Sequence, residues 1–177
     1  MPSIKSTYKP SFPFRNAHFS TVYSAKLRPS PSLTSIRERL TLKDGDFIDI
    51  DWTFAQVSSP KVAIILHGLE GNSQRTYIKA QANILMGNGW NVAALNFRGC
   101  SGEPNLSFQS YTAGKTDDLE AVLNMVLAKD RYSEISLVGF SLGGNLLLKY
   151  LGEGNKLPKE LKAAELPRLN RLPSHPN

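Results

Sequence analysis

The sequence predicts an α/β fold in which parallel strands are joined by crossover helices. Three short, nearly continuous apolar runs carry the prediction: "KVAIILH" (61–67), "WNVAALNF" (90–97) and "EISLVGF" (134–140). Runs of this length and composition read as strands buried on both faces. The second observation is that helical patterns separate them, so strand and helix alternate along the chain.

Taken in order, residues 1–35 are rich in Pro and Ser with scattered aromatics (Phe12, Phe14, Phe19, Tyr23). Such a segment cannot build a core, and it reads as an extended arm whose aromatics lie across one. "RERLTLKDGDFIDIDW" (37–52) alternates on either side of "KDGD", and Asp44-Gly45 predicts an antiparallel hairpin closed by a type I′ turn. A helix is expected over about 74–86, ending at "GNG". In "GKTDDLEAVLNMVLAKD" (114–130), Leu119, Val122, Leu123, Val126 and Leu127 recur at helical spacing, with acids in the first turn that suit a helix N-terminus. "LGGNLLLKYLGEG" (142–154) is a last helix, stopped by glycines.

Composition narrows the class. The 177 residues suffice for one globular domain, and 41% hydrophobic with 20% charged residues is ordinary for a soluble chain. The charge of +6 lies largely before Asp44, with no Lys/Arg cluster interleaved with aromatics, so no nucleic-acid partner is expected. No run is long enough to cross a bilayer and no leader pattern opens the chain, which predicts a cytoplasmic protein without stable membrane insertion. The single cysteine, Cys100, excludes an intrachain disulfide and reads as a packing residue.

The chemistry centres on "GFSLG" (139–143), a Gly-x-Ser-x-Gly pattern standing between a predicted strand and a predicted helix. That context makes Ser141 a candidate nucleophile, its hydroxyl raised above the sheet by a strained turn. In acyl-transfer sites of this type the residue after the nucleophile offers one oxyanion-binding N–H, here Leu142. The loop "LHGLEG" (66–71) offers the other, here Leu69. His67 reads as a brace for that loop rather than the general base.

"RNAHFSTVY" (15–23), "RERLTLKDGDFIDIDW", "LHGLEG", "NFRGCSGEPN" (96–105), "TDDLEAVL" (116–123) and "VGFSLGGNLLLKYLGE" (138–153) together resemble, in this order, the YheT-like α/β-hydrolases. The resemblance implies that the hairpin supplies the first strands of an α/β-hydrolase sheet. It also implies serine ester hydrolysis on acyl or lipid-like small-molecule esters, with neither metal nor organic cofactor. Ser141 matches the nucleophile, and Leu69 and Leu142 the oxyanion donors. The family's acid and histidine lie downstream of the serine.

After Ala164 the pattern is expected to stop. "ELPRLNRLPSHPN" (165–177) holds Pro167, Pro173 and Pro176, and proline cannot sit in a central strand. Downstream of Ser141 the acids are only Glu153, Glu160 and Glu165, and the only histidine is His175. Asp117 and Asp118 precede the nucleophile strand and read as helix-terminal or ion-paired acids. The organisation expected is therefore an arm (1–35), the N-terminal part of an α/β-hydrolase domain (36–164) and a divergent, disordered tail (165–177) out of register with the preceding coding sequence. Loss of later strands would leave the nucleophile strand as an open edge able to pair with another copy. An impaired esterase, an inactive acyl-binding protein and a non-functional fragment are the three functional readings.

Overall fold

A six-stranded mixed sheet carries the molecule, and the computed structural model describes residues 9–23, 27, 29–154 and 156–167. The strands are β1 (Ile36–Thr41), β2 (Phe47–Thr53), β3 (Lys61–Leu66), β4 (Asn91–Asn96), β5 (Glu134–Gly139) and β6 (Leu161–Glu165), in the order β1-β2-β4-β3-β5-β6. β1–β2 and β2–β4 pair antiparallel, while β4–β3, β3–β5 and β5–β6 pair parallel. The helices are α1 (Ala17–Val22), α2 (Thr76–Gly87), α3 (Asp117–Ala128) and α4 (Leu142–Gly152). None of the described helices is long and apolar enough to cross a membrane.

Alternation within the strands divides the apolar residues between two cores. Val62, Ile64 and Leu66 of β3 join Leu119, Val122, Leu123 and Val126 of α3 and Leu146, Leu147 and Tyr150 of α4 on one face. Ile65, Val92, Ala94, Val138 and Phe140 meet Ile78 and Ala82 of α2 on the other. Both faces are thus covered, which is why these strands read as apolar runs rather than alternating ones.

Strand β2 is buried throughout although it contains two acids. Its Ile48, Ile50 and Trp52 enter the larger core, while Asp49 and Asp51 point to the opposite face. Each acid meets an arginine directly across the ladder, Arg39 opposite Asp49 and Arg37 opposite Asp51. Both pairs are bidentate at 2.8–2.9 Å. The fork geometry of arginine fits a carboxylate in this way.

Three expectations need correction. The hairpin turn has three residues, Lys43 to Gly45, rather than two: Leu42 N–H donates to Asp46 O, Gly45 N–H to Leu42 O, and Gly45 has φ +82 while Asp44 is not left-handed. A type I turn followed by a left-handed glycine matches strand twist as well as a type I′ turn does. The arm is not extended throughout. Asn16 caps α1 by accepting the Phe19 N–H at 3.0 Å, and Phe14, Phe19 and Tyr23 pack on one another instead of across the core.

The third correction concerns the sheet edge. A short strand pairs beyond β5 before the chain reaches its prolines: β6 runs parallel to β5 with Val138 opposite Glu165. The strand ends before Pro167, so no proline stands in the ladder. Strand β5, which leads into Ser141, is therefore interior, and β6 is the edge. Residues 168–177, including His175, lie outside the described residues.

Candidate active site

The turn between β5 and α4 is built by close approach. A Cβ on Gly139 would lie 2.7 Å from Gly143 O, and one on Gly143 would lie 2.7 Å from both Leu66 O and His67 O. Only glycine lets the helix start so near the strands. Ser141 occupies the N-cap of α4 with φ +50 and ψ −113, a left-handed conformation costly for a residue with a side chain. The residue is exposed, and its hydroxyl makes no hydrogen bond among the described residues.

The loop after β3 comes up against this turn, with the Cβ position of Gly68 3.3 Å from Ser141 Cβ. The N–H groups on either side of Leu69 are engaged. Gly68 N–H donates to the Tyr77 hydroxyl at 3.0 Å, Glu70 N–H to the Tyr111 hydroxyl at 3.0 Å, and Gly71 N–H to Gly68 O at 3.0 Å. Arg75 Nη2 donates to Glu70 O at 2.8 Å. Leu69 N–H has no acceptor among the described residues, and neither does Leu142 N–H at the first position of α4. A helix start leaves such N–H groups free, and its dipole favours negative charge there.

His67 is fully buried, and both of its ring nitrogens have backbone partners. Its Nδ1 lies 2.7 Å from Gly68 O, which can only accept, so Nδ1 carries the proton. Nε2 accepts the Phe97 N–H at 3.2 Å. Burial, reinforced by the Arg75 charge, holds the imidazole below its ordinary pKa against the pull of the Gly68 carbonyl. Both nitrogens are committed in the neutral form, and the ring braces the loop.

The remaining sequence candidates are not brought to Ser141. Glu153 pairs with Lys149 and accepts the Thr116 hydroxyl at 2.6 Å beyond the far end of α4, an 11-residue helix about 16 Å long. Glu160 O accepts from Ile135 N–H at the start of β5, the opposite end of the strand from the serine. Glu165 stands on the exposed edge strand, level with Val138. Cys100 is half-buried, with burial raising its thiol pKa. Asp118 belongs to a buried ion cluster: Arg98 donates to it through Nε at 2.8 Å and Nη2 at 2.7 Å, and through Nη1 to Asp44 at 2.6 Å and Asp46 at 3.2 Å. Sequence reasoning missed Arg98, Tyr77 and Tyr111. A charged residue directly after the buried run 90–97 was the available signal for Arg98. The tyrosines had none, because their partners are backbone N–H groups.

Comparison with known proteins agrees with this geometry. The family model described as "alpha/beta hydrolase fold" matches residues 61–164. The chain is 35% identical over 159 residues to YheT of Escherichia coli (strain K12), covering 88% of this chain and 47% of that protein. It is 29% identical over 165 residues to the phospholipase ABHD3 of Mus musculus, covering 89% of this chain and 40% of that protein. The chain thus spans about half the length of the curated relatives it matches. Among solved structures, the esterase Pf2001 of Pyrococcus furiosus aligns with a TM-score of 0.63 at 21% identity, over 75% of this chain and 48% of that one, a likeness of fold. Strand order, the glycine-lined serine turn and these matches lead to one assignment: the chain belongs to the α/β-hydrolase family, among relatives that include YheT.

Proposed function

We propose that the protein carries the nucleophilic half of a serine esterase acting on acyl or lipid-like esters. Ser141 is the nucleophile and the N–H groups of Leu69 and Leu142 are the oxyanion donors. The observation that carries this reading is the serine's left-handed backbone at a helix start, facing a loop in which Leu69 N–H, between the engaged N–H groups of Gly68 and Glu70, has no acceptor among the described residues. In the first step Ser141 Oγ attacks the ester carbonyl carbon, the hydroxyl proton passes to solvent water, and the carbonyl oxygen becomes an anion received by the two N–H groups. The phospholipase ABHD3 among the relatives supports a lipid-like acyl group.

Among the described residues no imidazole or carboxylate reaches the Ser141 hydroxyl, and an unassisted serine is a weak nucleophile at neutral pH. We infer that these 177 residues by themselves act as an impaired hydrolase, keeping about 10³–10⁴-fold acceleration over water from oxyanion binding and substrate binding alone. The same observation supports a second reading, an acyl-binding protein without turnover. Self-association proceeds through the outer side of β6, the open edge of the sheet. A fluorophosphonate probe applied to folded protein separates the readings. Slow labelling that disappears in Ser141→Ala is the expected result; equal labelling of the variant refutes Ser141 as nucleophile, and no labelling of folded wild type favours acyl binding.

A further inference from the structure

We propose that Tyr77 and Tyr111 are positioning residues that make Leu69 N–H an oxyanion donor by occupying the donors on either side of it. The inference rests on the oxyanion reading above and extends it to the groups that shape the hole. Within the loop the N–H groups of Gly68, Glu70 and Gly71 all have acceptors, and the acceptors for Gly68 and Glu70 are the two phenol oxygens. Leu69 N–H is left between them. A donor is useful for catalysis only if it is aimed before charge develops, since it then costs no reorganisation.

Each phenol is itself anchored to a different part of the site. The Tyr77 ring packs on Phe140, the residue before the nucleophile, with centroids 4.9 Å apart. Its hydroxyl lies where a Gly71 Cβ would come within 2.8 Å and a Gly68 Cβ within 3.7 Å, so the loop folds around that oxygen. One side chain thus ties the serine turn to the oxyanion loop. Tyr111 stacks on Phe97 at 5.3 Å with the planes 10° apart, and Phe97 N–H is the group held by His67 Nε2. Glu70, whose N–H the Tyr111 hydroxyl receives, has φ +53, a conformation that needs outside support in a residue with a side chain.

The test uses the full 177-residue chain and 1-butaneboronic acid. Boron accepts a lone pair from Ser141 Oγ, one B–O bond forms, the hydroxyl proton passes to solvent, and the anionic tetrahedral adduct presents an oxygen to the hole. Boron-11 NMR reads the tetrahedral species and its dissociation constant. The expected result is an adduct in wild type, none in Ser141→Ala, and roughly tenfold weaker binding in Tyr77→Phe and in Tyr111→Phe, less than the about 10²–10³-fold cost of deleting an oxyanion donor outright. Thermal unfolding close to wild type in at least one phenylalanine variant separates aiming from folding, because each substitution keeps its ring contacts. A Ser141-dependent adduct of unchanged affinity in both variants overturns the role of the tyrosines while leaving the oxyanion hole standing. No Ser141-dependent adduct in wild type overturns the hole itself, and this inference with it.

Discussion

Replacing Arg98 by methionine removes the centre of the buried ion cluster, and the structure allows its cost to be worked through partner by partner. Asp44 is 35% exposed and regains water. Asp46 is wholly buried but keeps the N–H groups of Phe47 and Leu106 and the Ser107 hydroxyl. Asp118, 5% exposed, loses both of its bonds and is left with Lys115 Nζ at 3.9 Å. One buried carboxylate is therefore orphaned, and breaking a buried pair in this way costs about 3–5 kcal/mol. For a domain of ordinary stability, about 5–15 kcal/mol, this is a large share. With a urea slope of about 2 kcal/mol/M the midpoint at pH 7 should fall by roughly 2 M. The double variant Arg98→Met/Asp118→Leu should recover a good part of the loss, because the carboxylate left without a hydrogen bond is then gone while Asp46 keeps its other donors. A single-variant loss under about 1 kcal/mol, or simple additivity of the two substitutions, would show that the cluster is solvated and the reasoning wrong.

Gly143→Ala places a methyl 2.7 Å from two carbonyl oxygens, and overpacking of that kind should cost about 1–3 kcal/mol and abolish any Ser141 labelling; a variant with wild-type stability and reactivity would mean the turn is looser than it looks. Burial pushes the carboxyls of Asp46 and Asp51 up, but it is outweighed by the N–H groups of Leu106 and Phe47, the Ser107 hydroxyl and Arg98 at Asp46, and by Arg37, Ser73 and Asn96 at Asp51, leaving both at about 2. A folded pKa below the unfolded one gives stability that is whole above roughly pH 5 and lost as pH falls through about 4 to 2, so urea midpoints should drop between pH 6 and pH 3, and a flat profile would contradict the pairing. Sedimentation should show concentration-dependent association through β6, weakened by the charges of Lys162 and Glu165 on that edge, whereas a strict monomer at high concentration would rule the edge out.

The buried runs of β3, β4 and β5 and the glycine-serine pattern were legible because each is a local signal: apolar composition reports burial, and small residues around a serine report a tight turn. The hairpin was legible as a hairpin but not in its turn length, since Asp44-Gly45 fits both a two-residue loop and the left-handed end of a three-residue one. Strand β6 was hidden because Leu161–Glu165 is short and mostly exposed, with Lys162 and Glu165 breaking any apolar run. In the candidate site, Ser141 could be named from its neighbours in sequence, whereas the supports of the loop after β3 could not. Tyr111 meets Glu70 across 41 residues, through a backbone N–H that every non-proline residue possesses.

The reach of Arg98 bears on the order in which the chain can assemble during synthesis. Asp46 and Arg98 are separated by 52 residues, and β2 pairs with β4 rather than with the nearer β3. At roughly 5–20 residues per second, a ribosome needs about 3–10 s to make that stretch. The first hairpin must spend this interval with its acidic corner unneutralised and its apolar face uncovered, which makes the emerging N-terminal segment a natural client for chaperones until residue 98 arrives.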